Sequence, residues 1–177
     1  MNTLTRLCAV SSLVLAFAPL AIADDDVYQA PAAFIADVFG DDAPDPKVLW
    51  ITRKLKPRVH EILDHDLGQL RVRYWQVDGR TVWILDETGK TKPITTGVAI
   101  KDGRIERLKP LVYRESHGWE VRYPFFTDQF IGLALTDDVR LSGQVDGISG
   151  ATLSVDALRR LARLALFFDA QVRAAHD

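Results

Sequence analysis

Two hydrophobic periods divide the chain: strict alternation in its middle, and recurrence at three and four residues near its end. Gln69 to Val77 and Arg80 to Asp86 alternate around Asp78-Gly79, and Ile94 to Ile100 and Ile105 to Tyr113 do the same around Asp102-Gly103. An Asp-Gly dipeptide between alternating runs marks a two-residue hairpin, because both turn positions require positive φ. The pattern predicts at least four antiparallel strands, with no room between them for a parallel crossover. Further on, Leu153, Leu158, Leu161, Ala162, Ala165, Leu166 and Phe168 fall along one stripe. They predict an amphipathic helix from about Thr152 to about Ala174.

The remaining segments are less regular. Asp24 to Pro46 reads as an acidic, proline-punctuated arm in which Ala32 to Phe39 could make two helical turns. Leu49, Trp50, Val59, Ile62 and Leu63 have mostly helical spacing, and Pro57 opens a predicted helix from Pro57 to Asp64. Glu115 to Tyr123 is aromatic and broken by glycine, and Pro124 to Leu135 has room for a short helix begun at Pro124. The expected fold class is α+β, an antiparallel sheet of at least four strands packed with helices, the longest C-terminal.

The first 23 residues carry Arg6, an apolar stretch from Leu7 to Leu20 and the small-residue end Ala21-Ile22-Ala23, the pattern of a secretory signal cleaved before Asp24. Removing 23 of 177 residues leaves 154, enough for one domain. The expected organisation is a signal at 1–23, an arm and helical segment at 24–68, and the main domain at 69–177. A signal left uncleaved would instead serve as an inner-membrane anchor.

Cys8 and Met1, the single cysteine and methionine, both fall in the signal. The mature chain is therefore expected to lack disulfides, iron–sulfur ligation, covalent c-type haem and a thiol nucleophile. Taking Arg6 from the 22 basic residues leaves 21 against 24 acidic ones, a net charge of −3. That balance argues against a nucleic-acid partner. Arg159, Arg160, Arg163 and Arg173 interrupt the last apolar stretch, so it does not read as a membrane span.

Three short patterns carry candidate chemistry. His60-Glu61-x-x-Asp64-His65 resembles a zinc-protease helix, but five residues turn a helix by about 140°, so His60 and His65 diverge and no metal site is expected. Gly147-Ile148-Ser149-Gly150-Ala151 is a degenerate nucleophile elbow with Ser149 as the nucleophile. The only later histidine, His176, lies about 25 residues on, nearly 40 Å along a straight helix, and closes no triad. The third pattern, Asp146 to Ser154, is a small-residue loop entering a helix. Unbonded N–H groups there favour a phosphate, with Gly147, Gly150 and Ala151 permitting close approach and Thr152 placing a hydroxyl at the mouth. Ser and Thr are also common helix caps, so capping stands beside the phosphate reading.

Ser149-Gly150-Ala151-Thr152-x-Ser154, preceded by Asp146, resembles the flavinylation signature of the FMN-binding domain family, whose flavin is joined through its phosphate to a threonine. Glu115-Ser116-x-Gly118 and Phe126-x-x-Gln129-Phe130-x-Gly132 precede it in the family's order, and the resemblance covers Arg80 to Ala170. It implies that FMN is esterified to Thr152. It implies also that Asp146, Ser149, Gly150, Ala151 and Ser154 belong to the signal recognised by a periplasmic flavin transferase, and that Glu115, Gln129 and Phe130 surround the flavin. Val155 departs from the serine of many members. Lys47 to Val77 does not match the flavin subunits of membrane redox complexes, such as the sodium-translocating NADH:quinone reductase, and a stand-alone relative is implied. Phe125, Phe126 and Phe130 serve equally well as core, and Glu115 as a surface partner of Arg114 or Arg122.

The resulting expectation is a periplasmic flavoprotein that carries electrons through covalent FMN to a redox partner, soluble or membrane-bound, with no catalytic residue of its own. A flavin-dependent reductase of a small substrate, with His117 as proton donor, and a cofactor-free exported binding module are the alternatives.

Overall fold

The computed structural model of the chain describes residues 26–40 and 43–175. The expected signal at 1–23, the expected mature start at Asp24 and His176 lie outside the described residues. Among the described residues six strands form one antiparallel sheet: β1 (Asp26–Val27), β2 (Lys47–Trp50), β3 (Arg71–Val77), β4 (Arg80–Thr88), β5 (Pro93–Lys101) and β6 (Arg104–Tyr113). Their spatial order is β1-β6-β5-β4-β3-β2. Four α-helices among the same described residues accompany them: α1 (Pro31–Phe39), α2 (Lys56–Leu63), α3 (Pro124–Thr127) and α4 (Thr152–Ala174). The fold is α+β, as the hydrophobic pattern predicts.

Both predicted hairpins form. Val77 pairs with Arg80 around Asp78 (φ 45°) and Gly79 (φ 72°), and Lys101 pairs with Arg104 around Asp102 (φ 50°) and Gly103 (φ 78°). Positive φ at both central residues gives the turn a twist matched to the flanking strands. Pro110 sits in β6 opposite Thr96, beside a register shift between Thr95 and Thr96. A bulge is where a strand tolerates a residue with no N–H to donate.

Side-chain alternation sends β4 and β5 into two cores. Trp83, Leu85, Val98 and Ile100 join the large cluster with α2 and α4, whereas Val82 and Ala99 join Phe34 and Ile35 of α1 on the other face. The indole of Trp83 stacks on Tyr74 at 4.9 Å and touches Phe168 of α4 at 5.5 Å. Its Nε1 donates to Thr81 Oγ1 at 3.0 Å, and Thr81 in turn donates to buried Asp169 at 2.7 Å. A polar chain thus locks the lower half of α4 onto β4.

The helical spacing around Leu49 and Trp50 does not become helix, since Lys47–Trp50 is an edge strand paired with β3, with Trp50 opposite Arg71. Four residues are too few to distinguish the periods, and pairing with the sheet decides. No helix among the described residues is long and apolar enough to cross a membrane.

Candidate functional site

The segment that ends at Thr152 is fixed before it is exposed. Beyond β6, Gly132 N and Ile105 N bond across to Ile105 O at 2.7 Å and Leu133 O at 2.9 Å, and Leu135 bridges Leu141. Two side chains then hold the last part. Arg159 of α4 reaches back to the carbonyl of Val145, and Gln129 Oε1 accepts from Asp146 N at 2.6 Å. Gln129, a predicted site residue, therefore holds another predicted one, through the backbone. The Asp146 side chain is exposed, as are Gly147, Ser149 and Gly150. Ala151 is buried, and its N–H closes a turn on Ile148 O at 3.0 Å.

Thr152 is the first residue of α4 and is exposed. The N-cap is Ala151 (φ −118°, ψ 18°), and no side chain caps the helix. The capping alternative for the nearby hydroxyls is therefore not what the chain adopts: N–H groups of the first turn lack side-chain partners although Ser149, Thr152 and Ser154 are adjacent. Unbonded N–H groups and the dipole of a 23-residue helix give this end a positive potential beside a free hydroxyl.

Ser154 is placed differently. It is buried, and its Oγ lies 2.8 Å from Tyr113 Oη, which itself donates to His117 O at 2.6 Å. Because the phenol has one proton, Ser154 is the donor in the first bond. Burial pushes the Tyr113 phenol above its ordinary value, and the bond from Ser154 opposes this. The result is a strut from the start of α4 through Ser154 and Tyr113 to the 117–118 segment. Gly118 fits beside that strut with φ 86°, and a Cβ there would lie 2.8 Å from Ser154 Oγ and 3.0 Å from Tyr113 Oη. No larger residue can bring this backbone so close to α4.

Glu115 and Phe130 are committed within the protein. Glu115 Oε1 accepts the N–H groups of Lys90, Thr91 and Lys92, the last at 2.9 Å, and Oε2 accepts the Thr91 hydroxyl at 3.1 Å. Burial raises its carboxyl, but the donors from Lys92, Thr91 and Lys90 outweigh that and hold it below its ordinary value. Its role here is to tie the β4–β5 turn. Phe130 is fully buried, edge-on to Phe126 at 5.5 Å. His117 is exposed, and its carbonyl rather than its ring makes the bond to Tyr113.

Beyond Gly118 the chain carries an aromatic ledge that the single-residue reading did not isolate. Trp119 packs edge-on to Tyr123 at 5.7 Å, Arg122 lies over both rings at 5.0 Å, and Phe125 is 63 % exposed. Its signal in the sequence is the aromatic density between Trp119 and Phe126. The rejected zinc pattern finds other partners: His60 Nδ1 meets Asp66 at 2.9 Å, and His65 Nε2 meets the buried Glu87 at 3.0 Å.

Comparison with curated proteins and with solved structures gives no match. Residues 89–166, from the turn held by Glu115 to the middle of α4, match the family model described as the FMN-binding domain, and this match, spanning Gln129, Asp146 and Thr152, points to flavin binding.

Proposed function

We propose that the protein is an exported electron carrier that holds FMN as a phosphoester on Thr152. The observation that carries this reading is the placement of Thr152: a hydroxyl free of hydrogen bonds, exposed on the first residue of an uncapped long helix, inside the segment that matches the FMN-binding domain. The residues present fit the group. First-turn N–H groups can receive a phosphate, the exposed Gly147, Ser149 and Gly150 leave room for it, and Asp146 stands on a backbone held by Gln129.

In maturation a periplasmic flavin transferase would act on FAD. The bond that forms joins Thr152 Oγ to the FMN phosphorus, the pyrophosphate bond breaks, AMP leaves, and the hydroxyl proton is released. Bound flavin supplies one- and two-electron chemistry; the chain's part is to retain it, orient it and shield it. Covalent retention suits an exported carrier, from which a dissociated cofactor would be lost by dilution. The redox partner, soluble or membrane-bound, is the remaining component of the proposal.

Co-expression with a flavin transferase supplied with FAD and magnesium tests the reading. The intact mass should rise by FMN less one water, and the denatured band should fluoresce. Thr152→Val removes the hydroxyl and should abolish the label, whereas Ser149→Ala should keep it. Label surviving in Thr152→Val overturns the assigned site. A colourless protein under these conditions favours the cofactor-free binding module, and steady-state turnover of a small substrate favours the reductase.

A further inference from the structure

Beside the loop that leads to Thr152 lies a cleft of about 460 Å³ lined by Arg140, Arg159, Arg160 and Arg163, with Asp64 and Asp156 the acidic residues on its wall. The last three arginines and Asp156 share one face of α4, since residues three, four and seven apart stack on a helix. Each guanidinium has five donors, and the contacts made use only part of them. Arg159 is the most committed, at 2.8 Å from Asp156 and on the carbonyl of Val145. Arg160 spends only its Nε, on Glu87 at 3.0 Å, and that carboxylate is shared with His65. Arg163 gives one Nη to a neutral group, the carbonyl of Ile62, at 2.7 Å. On the outer wall, Arg140 meets Asp138 at 3.0 Å and is largely exposed.

Arg163 differs from the other three in that its direct contact is a carbonyl and not a carboxylate. Burial pulls its guanidinium below the ordinary value and Arg160 adds to this, while the carboxylates of Asp64, Asp156 and Glu61 oppose it from a distance. A half-buried cation next to a second cation, with donors to spare and an open cleft in front, is the arrangement that a planar oxyanion completes by bidentate bonding.

We propose that this cleft binds a small oxyanion, a carboxylate or phosphate group held chiefly by Arg160 and Arg163, with Arg140 closing the outer side. The proposal is independent of the flavin on Thr152 and is tested on unlabelled full-length protein, so a failure of either reading leaves the other standing. A network that serves only to brace α2 against α4 would bind no anion.

Calorimetric titration at low ionic strength with inorganic phosphate and, separately, with succinate should show saturable one-to-one binding of at least one of them. Preference for phosphate identifies a phosphoryl ligand, and preference for succinate a dicarboxylate. Arg163→Gln retains a donor for Ile62 O and should weaken binding by about tenfold. If that variant fails to fold, Arg140→Gln decides, because an exposed side chain can be changed without disturbing the core, and binding should again weaken. Saturable binding of neither anion overturns the proposal, as does binding that the deciding variant leaves unchanged, which would place the anion at the start of α4 instead.

Discussion

Two hydroxyls two residues apart have opposite roles at the start of α4. Thr152 is exposed and bonds to nothing, whereas Ser154 is buried and donates to Tyr113. Thr152→Val should therefore leave stability within about 0.5 kcal/mol of wild type while abolishing the flavin label, since no cap or buried bond is lost. Ser154→Ala should cost about 1 kcal/mol, because Tyr113 keeps its bond to His117 O and only one donor disappears. Gly118→Ala should be worse, at about 2 kcal/mol or more, from a left-handed backbone and a Cβ pressed on Ser154 Oγ. Combining Gly118→Ala with Ser154→Ala should recover part of that cost, since the closest contact goes while the φ penalty stays. Urea denaturation of the four variants measures all of this. Simple additivity in the double variant would refute the contact.

Among the elements, the β4–β5 turn depends on a residue 23 positions or more away: Glu115 gathers the N–H groups of Lys90, Thr91 and Lys92. Its folded-state carboxyl lies below the ordinary 4.5, so its contribution is fully present above that value and is lost as pH falls through the lower, folded one. Glu115→Gln should flatten the acid limb of the stability curve below the ordinary carboxyl value and speed amide exchange at Lys90 to Lys92. An unchanged acid limb would mean that the carboxylate does not hold the turn. This element also shows where the sequence was legible. Both Asp-Gly hairpins and the span of α4 could be read because their determinants are local: positive φ at two adjacent residues, and a stripe sustained over many turns. Thr152 at the helix start followed from the same stripe. Edge strand β2 was not legible, since four residues carry no clear period and Leu49 and Trp50 also suit a helix. Nor were the turn-tying bonds of Glu115, the Gln129–Asp146 link or the arginine cleft, all of which join residues distant in sequence and need the fold before they exist.

At the scale of the whole molecule, the sheet separates two cores of unequal size, and the helix that Thr152 begins packs on the larger. α4 packs on β4, β5 and β6 through Leu158, Leu161, Ala165 and Phe168, with α2 beside it. On the opposite face α1 rests on β4 and β5 through Phe34 and Ile35, against Val82, Ala99 and Leu111. The phenyl of Phe34 is fully buried, so Phe34→Ala should destabilise the protein by about 3–4 kcal/mol, the transfer term plus the cavity term. Its effect on the site should be far smaller. The strut from Ser154 to His117 and the Gln129–Asp146 link do not involve α1, so the geometry around Thr152 survives wherever the sheet survives. The expected result is a large drop in melting temperature and faster amide exchange in α1, with the fraction of folded molecules labelled at Thr152 unchanged. Phe168→Ala, an equally buried phenyl on the α4 side and in contact with Trp83, is the matched control. It should cost a similar amount of stability while also loosening α4, and with it the rate of labelling. If Phe34→Ala lowered labelling per folded molecule as much as Phe168→Ala, the two faces would be coupled through the sheet, and the separation between the α1 core and the Thr152 site would be wrong.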